Sequence, residues 1–414
     1  MTAETGPTSR RRKWAFRLTA LLLPLGLLLA LEVAFRLTGV GALDPWENRH
    51  VNYVSGERFF PRWDETIAMP KPEGVTRIFV LGGSAVMGYR MESFPDLLPR
   101  ELAARRPGRY EVINGGMVAF GSHRVFEVMK EAARFDPDLV VVYTGHNEFL
   151  EEIFFDEDGF LARQEAFAAA VGRLRVIRWL RGLVGSGPIE LPRPDVQRHF
   201  VGNRSFPLIR DREQYDLRLR FLDSNVAQMI ALAEVRGFAL LLAPAVPNLL
   251  HAPGNPVNGP GYEGREIEWT RAFEAGRDAW REGRVAEAST AFARAAEIDG
   301  EHALLVYLRG LVDLAEGRDV AGVERLIRAL DLDRRGDRAN SEVAGVIRER
   351  AAASGAPFLD ARSRLFERVP EDVARVREGR DGALFIDHCH FSAEGHRRMA
   401  AQVAGAAAPL LPNK

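Results

Sequence analysis

Short apolar runs alternate with helical segments along most of this chain, and this alternation constrains the fold more than any other feature. Four runs have the length and the apolar side chains of buried strands, at 77–81, 110–113, 139–143 and 238–242. A fifth strand is predicted at 356–360. Helices are predicted at 94–105, 121–135 and 213–235, and a last one from Ser392 to about Ala407. Such alternation predicts an α/β fold in which a parallel sheet carries helices on both faces.

Residues 266–337 interrupt the alternation with purely helical sequence that repeats itself. Gly276, Gly283, Ala295 and Asp299 recur at one constant offset, as Gly310, Gly317, Ala329 and Asp333. An offset of about 34 residues is typical of tetratricopeptide helix–turn–helix units, although an ordinary helix pair would share part of the pattern. We predict a tetratricopeptide-like insertion at 263–338 that divides a sheet domain into 75–262 and 339–414. Its helices are a candidate surface for a protein partner.

Residues 1–40 combine a basic start with an apolar run. Arg10 to Lys13 are consecutive cations, and the run from Leu18 to Leu31 contains no charged side chain. Glu32 and Arg36 follow, one helical turn apart, so a helix would pair them. The run is longer than many signal-peptide cores and shorter than most membrane spans. Neither a small-residue cleavage site nor a lipoprotein cysteine follows the run. We therefore predict a single-pass anchor at 1–40, in preference to the two alternatives of a cleaved signal peptide and a soluble helix.

The basic flank of this run predicts the location of everything after it. Cationic flanks remain in the cytoplasm, so the rest of the chain is expected outside it, in the periplasm or at the cell surface. Residues 41–74 are rich in proline and aromatic side chains and are predicted to be a connector. Residues 151–210 are predicted to cap the strand ends.

Charge and cysteine content exclude several classes of function. The 414 residues carry 56 Lys and Arg against 57 Asp and Glu, a net charge of −1. This balance argues against a nucleic-acid-binding protein, which would show a basic excess. Cys389 is the one cysteine, so a disulfide framework and a thiolate metal cluster are excluded.

The first segment with possible chemistry is Gly82-Gly83-Ser84-Ala85, directly after the first predicted strand. A serine there lies at the carboxyl edge of the sheet, where open α/β folds bind ligands. The segment is not a nucleophile elbow, since Val86 replaces the second glycine of Gly-x-Ser-x-Gly. It is not a phosphate loop either, because Tyr89 and Arg90 follow Gly88.

Two further segments follow the second and third strands. Asn114-Gly115-Gly116, with Ala119 and Gly121 after it, consists of small residues that let backbone N–H groups approach a ligand. Gly145-His146-Asn147-Glu148 presents an asparagine amide that can donate to a developing oxyanion. Both segments also have the composition of ordinary turns.

The fourth segment is Asp387-His388-Cys389-His390, shortly before the last helix. A general base needs a carboxylate to orient it, and Asp387 can reach His390 within one tight turn. Ser392 already explains the start of the helix as its cap. His388, His390 and His396 do not have the spacing of zinc ligands, so neither a metal nor a cofactor is expected.

Together the four segments resemble those of the SGNH (GDSL-like) hydrolase family. The resemblance implies a three-layer α/β fold with a flavodoxin-like parallel sheet. The resemblance implies that Ser84 is the nucleophile, that His390 is the base and that Asp387 orients it. The oxyanion hole would consist of the Ser84 and Ala119 backbone amides and the Asn147 side chain. The alignment around the second segment also allows Gly116 or Gly121 in place of Ala119.

This sequence departs from the family pattern at three positions, none of which removes a reacting group. Gly83 stands where the family has aspartate, Ala119 where it usually has glycine, and Glu148 where it has aspartate. The resemblance implies a serine esterase or deacetylase acting on an extracytoplasmic ester, such as an acetylated carbohydrate or a lipid. Two alternatives remain: an O-acyltransferase that modifies an extracellular polysaccharide through the same triad, and a non-catalytic helical scaffold.

Overall fold

The computed structural model describes residues 7–38, 40, 67–88, 91–150, 176, 179, 212–377 and 383–412. Most of the predicted connector at 41–74 and nearly all of the predicted cap at 151–210 therefore lie outside the described residues. The chain divides into two compact units, residues 1–49 with 153–204, and residues 50–152 with 205–414.

The first unit contains helix α1, Pro7–Thr38. Arg36 Nε donates to Glu32 Oε1 at 2.9 Å, as the four-residue spacing predicts. No helix among the described residues has the length and apolar content needed to cross a bilayer. The predicted membrane anchor is therefore not confirmed.

The second unit is built on a parallel sheet of four strands. These are β1 (Val75–Gly82), β2 (Arg109–Gly116), β3 (Leu139–Thr144) and β4 (Ala239–Pro244), in the spatial order β2-β1-β3-β4. Val80 of β1 is paired with Asn114 of β2 and with Val141 of β3, and Val141 is paired with Leu241 of β4. The order is that of flavodoxin-like sheets. All four predicted strands are confirmed. The central strands β1 and β3 are buried along their whole length and read as mainly apolar runs, whereas β2 is fully buried only from Ile113 to Gly116.

The predicted fifth strand at 356–360 is wrong as a strand, although the segment lies beside β4. Leu242 N donates to Pro357 O at 3.0 Å, and Leu359 N donates to Leu242 O at 2.8 Å. Phe358 therefore forms a single parallel bridge with Leu242. Pro357 has no N–H to extend the ladder, and Asp360 already caps the next helix, so pairing stops after one residue.

Twelve further helices belong to this unit among the described residues. In chain order they are α2 (Ser84–Met87), α3 (Phe94–Arg105), α4 (Ser122–Ala132), α5 (Arg212–Arg236), α6 (Glu266–Arg281), α7 (Val285–Ile298), α8 (Ala303–Ala315), α9 (Asp319–Leu332), α10 (Ser341–Ser354), α11 (Ala361–Phe366), α12 (Val369–Arg377) and α13 (Ala393–Ala407). The helices that pack near the sheet form two groups: α3 contacts α13, whereas α5 contacts both α4 and α10.

The predicted helical insertion forms two hairpins, α6 with α7 and α8 with α9. Helices α7 and α9 begin at Val285 and Asp319, which are separated by the same offset as the repeated glycines. Gly283 and Gly317 each have a φ of 75° in the turn before these helices, a conformation that favours glycine. Gly276 leaves no room for a side chain, because an added Cβ would lie 2.5 Å from the Phe292 ring. The period therefore marks a repeated hairpin, and its assignment as tetratricopeptide-like remains a prediction.

Candidate functional site

Ser84 lies two residues after Gly82, the last residue of β1, and begins the short helix α2. The two glycines before it are required by close packing. A Cβ added to Gly82 would lie 2.2 Å from the Tyr143 carbonyl oxygen, and one added to Gly83 would lie 2.4 Å from Asn147 Nδ2. The strand end therefore fits tightly against β3, and it leaves the half-buried Ser84 at the carboxyl edge of the sheet.

Ser84 lies within hydrogen-bond distance of the predicted base, which is 306 residues away in sequence. The Ser84 Oγ to His390 Nε2 distance is 2.7 Å. On the other side of the ring, His390 Nδ1 lies 2.6 Å from Asp387 Oδ2. The structure thus brings the three predicted residues into one hydrogen-bonded chain, in which Asp387 accepts from Nδ1 and Nε2 is left to accept from the serine hydroxyl.

Asp387 is held by its own turn. Its Oδ1 accepts the N–H of Cys389 at 2.9 Å and that of His390 at 2.8 Å. Burial alone would raise the pKa of Asp387, but the hydrogen bonds from the His390 ring and these two N–H groups outweigh it. They hold the pKa of Asp387 well below its usual range, so the carboxylate stays ionised beside the imidazole.

The predicted oxyanion donor Asn147 is buried next to Gly83. Its Nδ2 donates to the Phe120 carbonyl at 3.0 Å. Because an amide nitrogen carries two hydrogens, this bond leaves one for another acceptor. Ser84 and Asn147 line the same small pocket, together with Phe120 and His146. The structure therefore brings Asn147 to the serine through the loop after β3.

Glu148, which departs from the family's aspartate, connects this loop to the start of α4. Its carboxylate accepts from Ser122 N at 3.0 Å, from Ser122 Oγ at 2.7 Å and from Thr144 Oγ1 at 3.2 Å. Burial raises the pKa of Glu148, and the hydrogen bonds from Ser122 and Thr144 oppose that shift. The Glu148 carboxylate thus joins the loop that carries Asn147 to the start of α4.

Ala119 occupies an unusual backbone conformation in the loop after β2. Its φ is +62°, in the left-handed region that favours glycine, and its side chain is buried. Within the part of the chain that the structure describes, its N–H makes no hydrogen bond. The alternative donor Gly116 already gives its N–H to Asn114 Oδ1 at 2.9 Å. The geometry therefore favours Ala119 over Gly116 as a donor. Gly121 caps α4 through its carbonyl, which accepts from Arg124 N and Val125 N, so its own N–H stays an alternative donor.

The other histidines of the fourth segment have separate environments. His396 is buried on α13, where its Nδ1 accepts the Phe94 N–H at 3.1 Å. Burial lowers the pKa of His396 to about 4, so it is neutral near pH 7. His388 Nε2 lies 3.7 Å from Asp337 Oδ2. These positions support α3 and the loop rather than a shared zinc site of His388, His390 and His396.

One group of possible metal ligands occurs among the described residues: Asp387, Cys389 and His390, whose ligand atoms lie within 4.8 Å of one another. Burial raises the pKa of the Cys389 thiol well above its usual range, which disfavours the thiolate that a metal would need. The Asp387 carboxylate is already engaged by three donors. The group is therefore better suited to hydrogen bonding than to coordination.

Two polar residues around the site were missed by the sequence reasoning or given no role. His146 accepts the Ala339 N–H on its Nδ1 at 3.1 Å and is buried. Asn248 donates to the Asp387 carbonyl from its Nδ2 at 2.7 Å. The one available signal for Asn248 is its place shortly after a buried strand, in the same kind of position as the first three predicted segments.

Comparison with known proteins identifies relatives of this chain. A model of the GDSL-like Lipase/Acylhydrolase family matches residues 80–398, which include all four predicted segments. Among solved structures, a lipase/acylhydrolase from Enterococcus faecalis is similar, with 15% identity and a TM-score of 0.36 over 82% of this chain and 98% of that one. A GDSL-like lipase from Bacteroides thetaiotaomicron has 12% identity and a TM-score of 0.33 over 81% of this chain and 89% of that one. No curated protein matches the chain.

Proposed function

The chain belongs to the GDSL-like lipase/acylhydrolase family of ester-hydrolysing enzymes, and on this basis we propose that it hydrolyses an ester through an acyl-enzyme formed on Ser84. The observation that carries the proposal is the continuous hydrogen-bonded chain from Ser84 Oγ through the His390 ring to the Asp387 carboxylate. A serine hydroxyl is a weak nucleophile by itself, and an adjacent oriented base is what activates it.

In the proposed acylation step, Ser84 Oγ attacks the ester carbonyl carbon and its proton passes to His390 Nε2. The carbonyl oxygen becomes an oxyanion, and the Ser84 N–H, the Ala119 N–H and the Asn147 amide would donate to it. Asp387 stays ionised and stabilises the imidazolium that forms. When the carbon–oxygen bond of the ester breaks, His390 returns the proton to the leaving alkoxide, and an alcohol departs.

In the proposed second step, His390 takes a proton from water, and the resulting hydroxide attacks the acyl group on Ser84. Collapse of this intermediate releases the carboxylic acid and restores the serine hydroxyl. An O-acyltransferase would differ at this step alone, with an acceptor hydroxyl in place of water. We propose hydrolysis, since ester hydrolysis is the activity of the family.

The proposed substrate is an ester outside the cytoplasm, such as an acetylated carbohydrate or a lipid. This location depends on the sequence of the segment 1–40, where four consecutive cations precede the uncharged run from Leu18 to Leu31. Fractionation of cells that express the full chain tests it. Recovery in the cytoplasmic fraction would contradict the location and leave the proposed chemistry intact.

Substitution of the serine tests the chemistry. In the full-length chain, Ser84→Ala should abolish labelling by a fluorophosphonate probe and lower p-nitrophenyl acetate hydrolysis at least about 10⁴-fold. Ser354→Ala, at an exposed position on α10, is the matched control and should behave like the unmodified chain. Labelling retained by Ser84→Ala would contradict the proposal. Acetyl transfer to an added sugar in place of hydrolysis would point to the acyltransferase.

A further inference from the structure

Asn248 contacts the base-bearing loop from outside the proposed triad. It lies four residues after the end of β4, in a different part of the chain from Asp387. Its backbone N–H donates to the His388 carbonyl at 3.0 Å, and its side-chain Nδ2 donates to the Asp387 carbonyl at 2.7 Å. One residue thus holds two consecutive peptide carbonyls of the loop that presents Asp387 and His390.

The orientation of the Asn248 amide follows from its other contact. Its Oδ1 accepts the Leu250 N–H at 2.9 Å. Because a backbone N–H can only donate, the oxygen must face Leu250 and the nitrogen must face Asp387. An aspartate at this position would have the same shape but would set a second acceptor against the Asp387 carbonyl.

Asn248 is in turn connected to the end of the helical insertion through Arg338. Arg338 Nη1 donates to the Asn248 carbonyl at 3.2 Å and to the His251 carbonyl at 2.9 Å. Its Nη2 donates to Asp333 Oδ2 at 2.8 Å, and both side chains of this ion pair are only 4% exposed. Asp333 also accepts the N–H groups of Gly254 and Asn255, at 3.0 and 2.8 Å. A buried ion pair with all these partners fixes the loop that carries Asn248.

We propose that Asn248 is a positioning residue for the reaction, and that it acts through the main chain of Asp387 and His388. It holds the loop so that the Asp387 carboxylate meets His390 Nδ1, and Arg338 holds Asn248 against the loop. Proton transfer in the triad depends on sub-ångström alignment, so releasing one carbonyl of this loop slows the chemical step. The inference rests on the proposed function of Ser84, His390 and Asp387.

Isosteric substitution in the full-length chain tests the role of Asn248. Asn248→Asp should lower kcat for ester hydrolysis about 10- to 100-fold and leave KM within about twofold, because in the proposed role Asn248 acts through the main chain of Asp387 and His388. The matched control is Asn258→Asp, which makes the same change at an exposed position of the following loop and should leave kcat unchanged. Equal kcat values for the two variants would overturn the proposal.

A spectroscopic measurement separates positioning from general loss of structure. The proton in the short bond between His390 Nδ1 and Asp387 Oδ2 should give a far-downfield ¹H NMR signal, which we expect to shift or broaden in Asn248→Asp and to stay in place in Asn258→Asp. If Asn248→Asp does not fold, Asn248→Ala removes the donor without adding a second acceptor and is measured in the same way. An unmoved signal with normal kcat in Asn248→Ala would overturn the role.

The two proposals fail in different ways. If Ser84→Ala retains hydrolysis, the proposed function is wrong and the Asn248 inference falls with it. If Ser84→Ala is inactive while Asn248→Asp and Asn248→Ala match Asn258→Asp in kcat, only the positioning role is wrong.

Discussion

The two sides of the site are built in different ways. On the base side, Asp387 and His390 lie three residues apart, and Asp387 Oδ1 accepts N–H groups from its own turn at 2.8 and 2.9 Å. On the oxyanion side, Asn147 and Ala119 come from separate loops, and Asn147 is fixed by a bond to Phe120, 27 residues away. The carboxylate–imidazole pair of the base side is thus a local structure, held from outside by Asn248, whereas the oxyanion side depends on the packing of several strand ends.

This difference predicts how substitutions on the base side and on the oxyanion side affect activity and stability. The local turn around Asp387 carries its own hydrogen bonds, so a substitution there should alter chemistry more than structure. The oxyanion side carries the buried Glu148 and an alanine in the left-handed region, so substitutions there should alter structure as well. Four measurements can break or sharpen this contrast.

The largest effect is expected from Asp387→Asn on the base side. The amide no longer stabilises the imidazolium and favours the wrong ring tautomer, so kcat should fall about 10⁴-fold while the thermal midpoint changes little. Steady-state kinetics and thermal unfolding measure the two effects. Asp319→Asn, at an exposed position on α9, is the control. A kcat within tenfold of the unmodified chain would show that the carboxylate is not needed.

Removal of the Asn147 amide should have the next largest effect. Asn147→Ala should lower kcat about 10²- to 10³-fold, because one donor to the oxyanion is lost. It should also reduce the free energy of unfolding by about 1 kcal/mol, since the Phe120 carbonyl loses its donor. Steady-state kinetics measures the loss of kcat, and urea unfolding measures the loss of unfolding free energy. Lower stability with unchanged kcat would leave Asn147 a structural residue only.

The pH dependence of stability should reveal a liability next to the base side. His396 has a folded-state pKa of about 4, below its ordinary value, so the unfolded chain binds more protons between these pH values. The contribution of His396 to the free energy of unfolding is therefore fully present above about pH 6.5, and it decreases by up to about 3 kcal/mol as the pH drops to about 4. Urea unfolding at pH 7.5 and 4.5 measures the loss.

A variant without the titrating ring isolates the His396 contribution. His396→Gln should show a smaller loss of unfolding free energy between the two pH values. Part of the loss should remain, because burial also lowers the pKa of His146 and His388. An identical loss in the variant and the unmodified chain would exclude His396 as the source.

The smallest effect is expected from Ala119→Gly on the oxyanion side. Glycine adopts a φ of +62° without the steric cost that alanine incurs, so the free energy of unfolding should rise by up to about 1 kcal/mol. Hydrolysis should be unchanged, since the N–H remains. Ala275→Gly, at an exposed position inside α6, should instead lower stability by about 1 kcal/mol. Matching losses in the two variants would show that Ala119 is not strained.

The contrast between the two sides also explains what the sequence could predict. The strands β1, β3 and β4 were predictable because they are buried and read as apolar runs, and Asp387 with His390 because their relation is local. The role of Asn248 was not predictable, since its bond to Asp387 joins residues that are 139 apart in sequence. The role of Glu148 was missed for the same reason, because its partner Ser122 lies on another element.

The helical insertion also contains contacts that its sequence repeat could not predict. The constant offset between the repeated glycines predicted two helix–turn–helix units, and the structure places these glycines in the turns and at close helix contacts. It could not predict that Arg338, just after the last repeat helix, reaches the loop that holds Asn248. The repeat describes how the hairpins pack within themselves, and their connection to the site depends on unrepeated residues.

Cys389 gives the molecule a natural reporter. It is the sole cysteine of the chain, it is 4% exposed, and its N–H is held by Asp387 Oδ1. An alkylating reagent can reach the sulfur only when the surrounding segment opens. The rate of alkylation therefore measures how often that segment opens, with no engineered label.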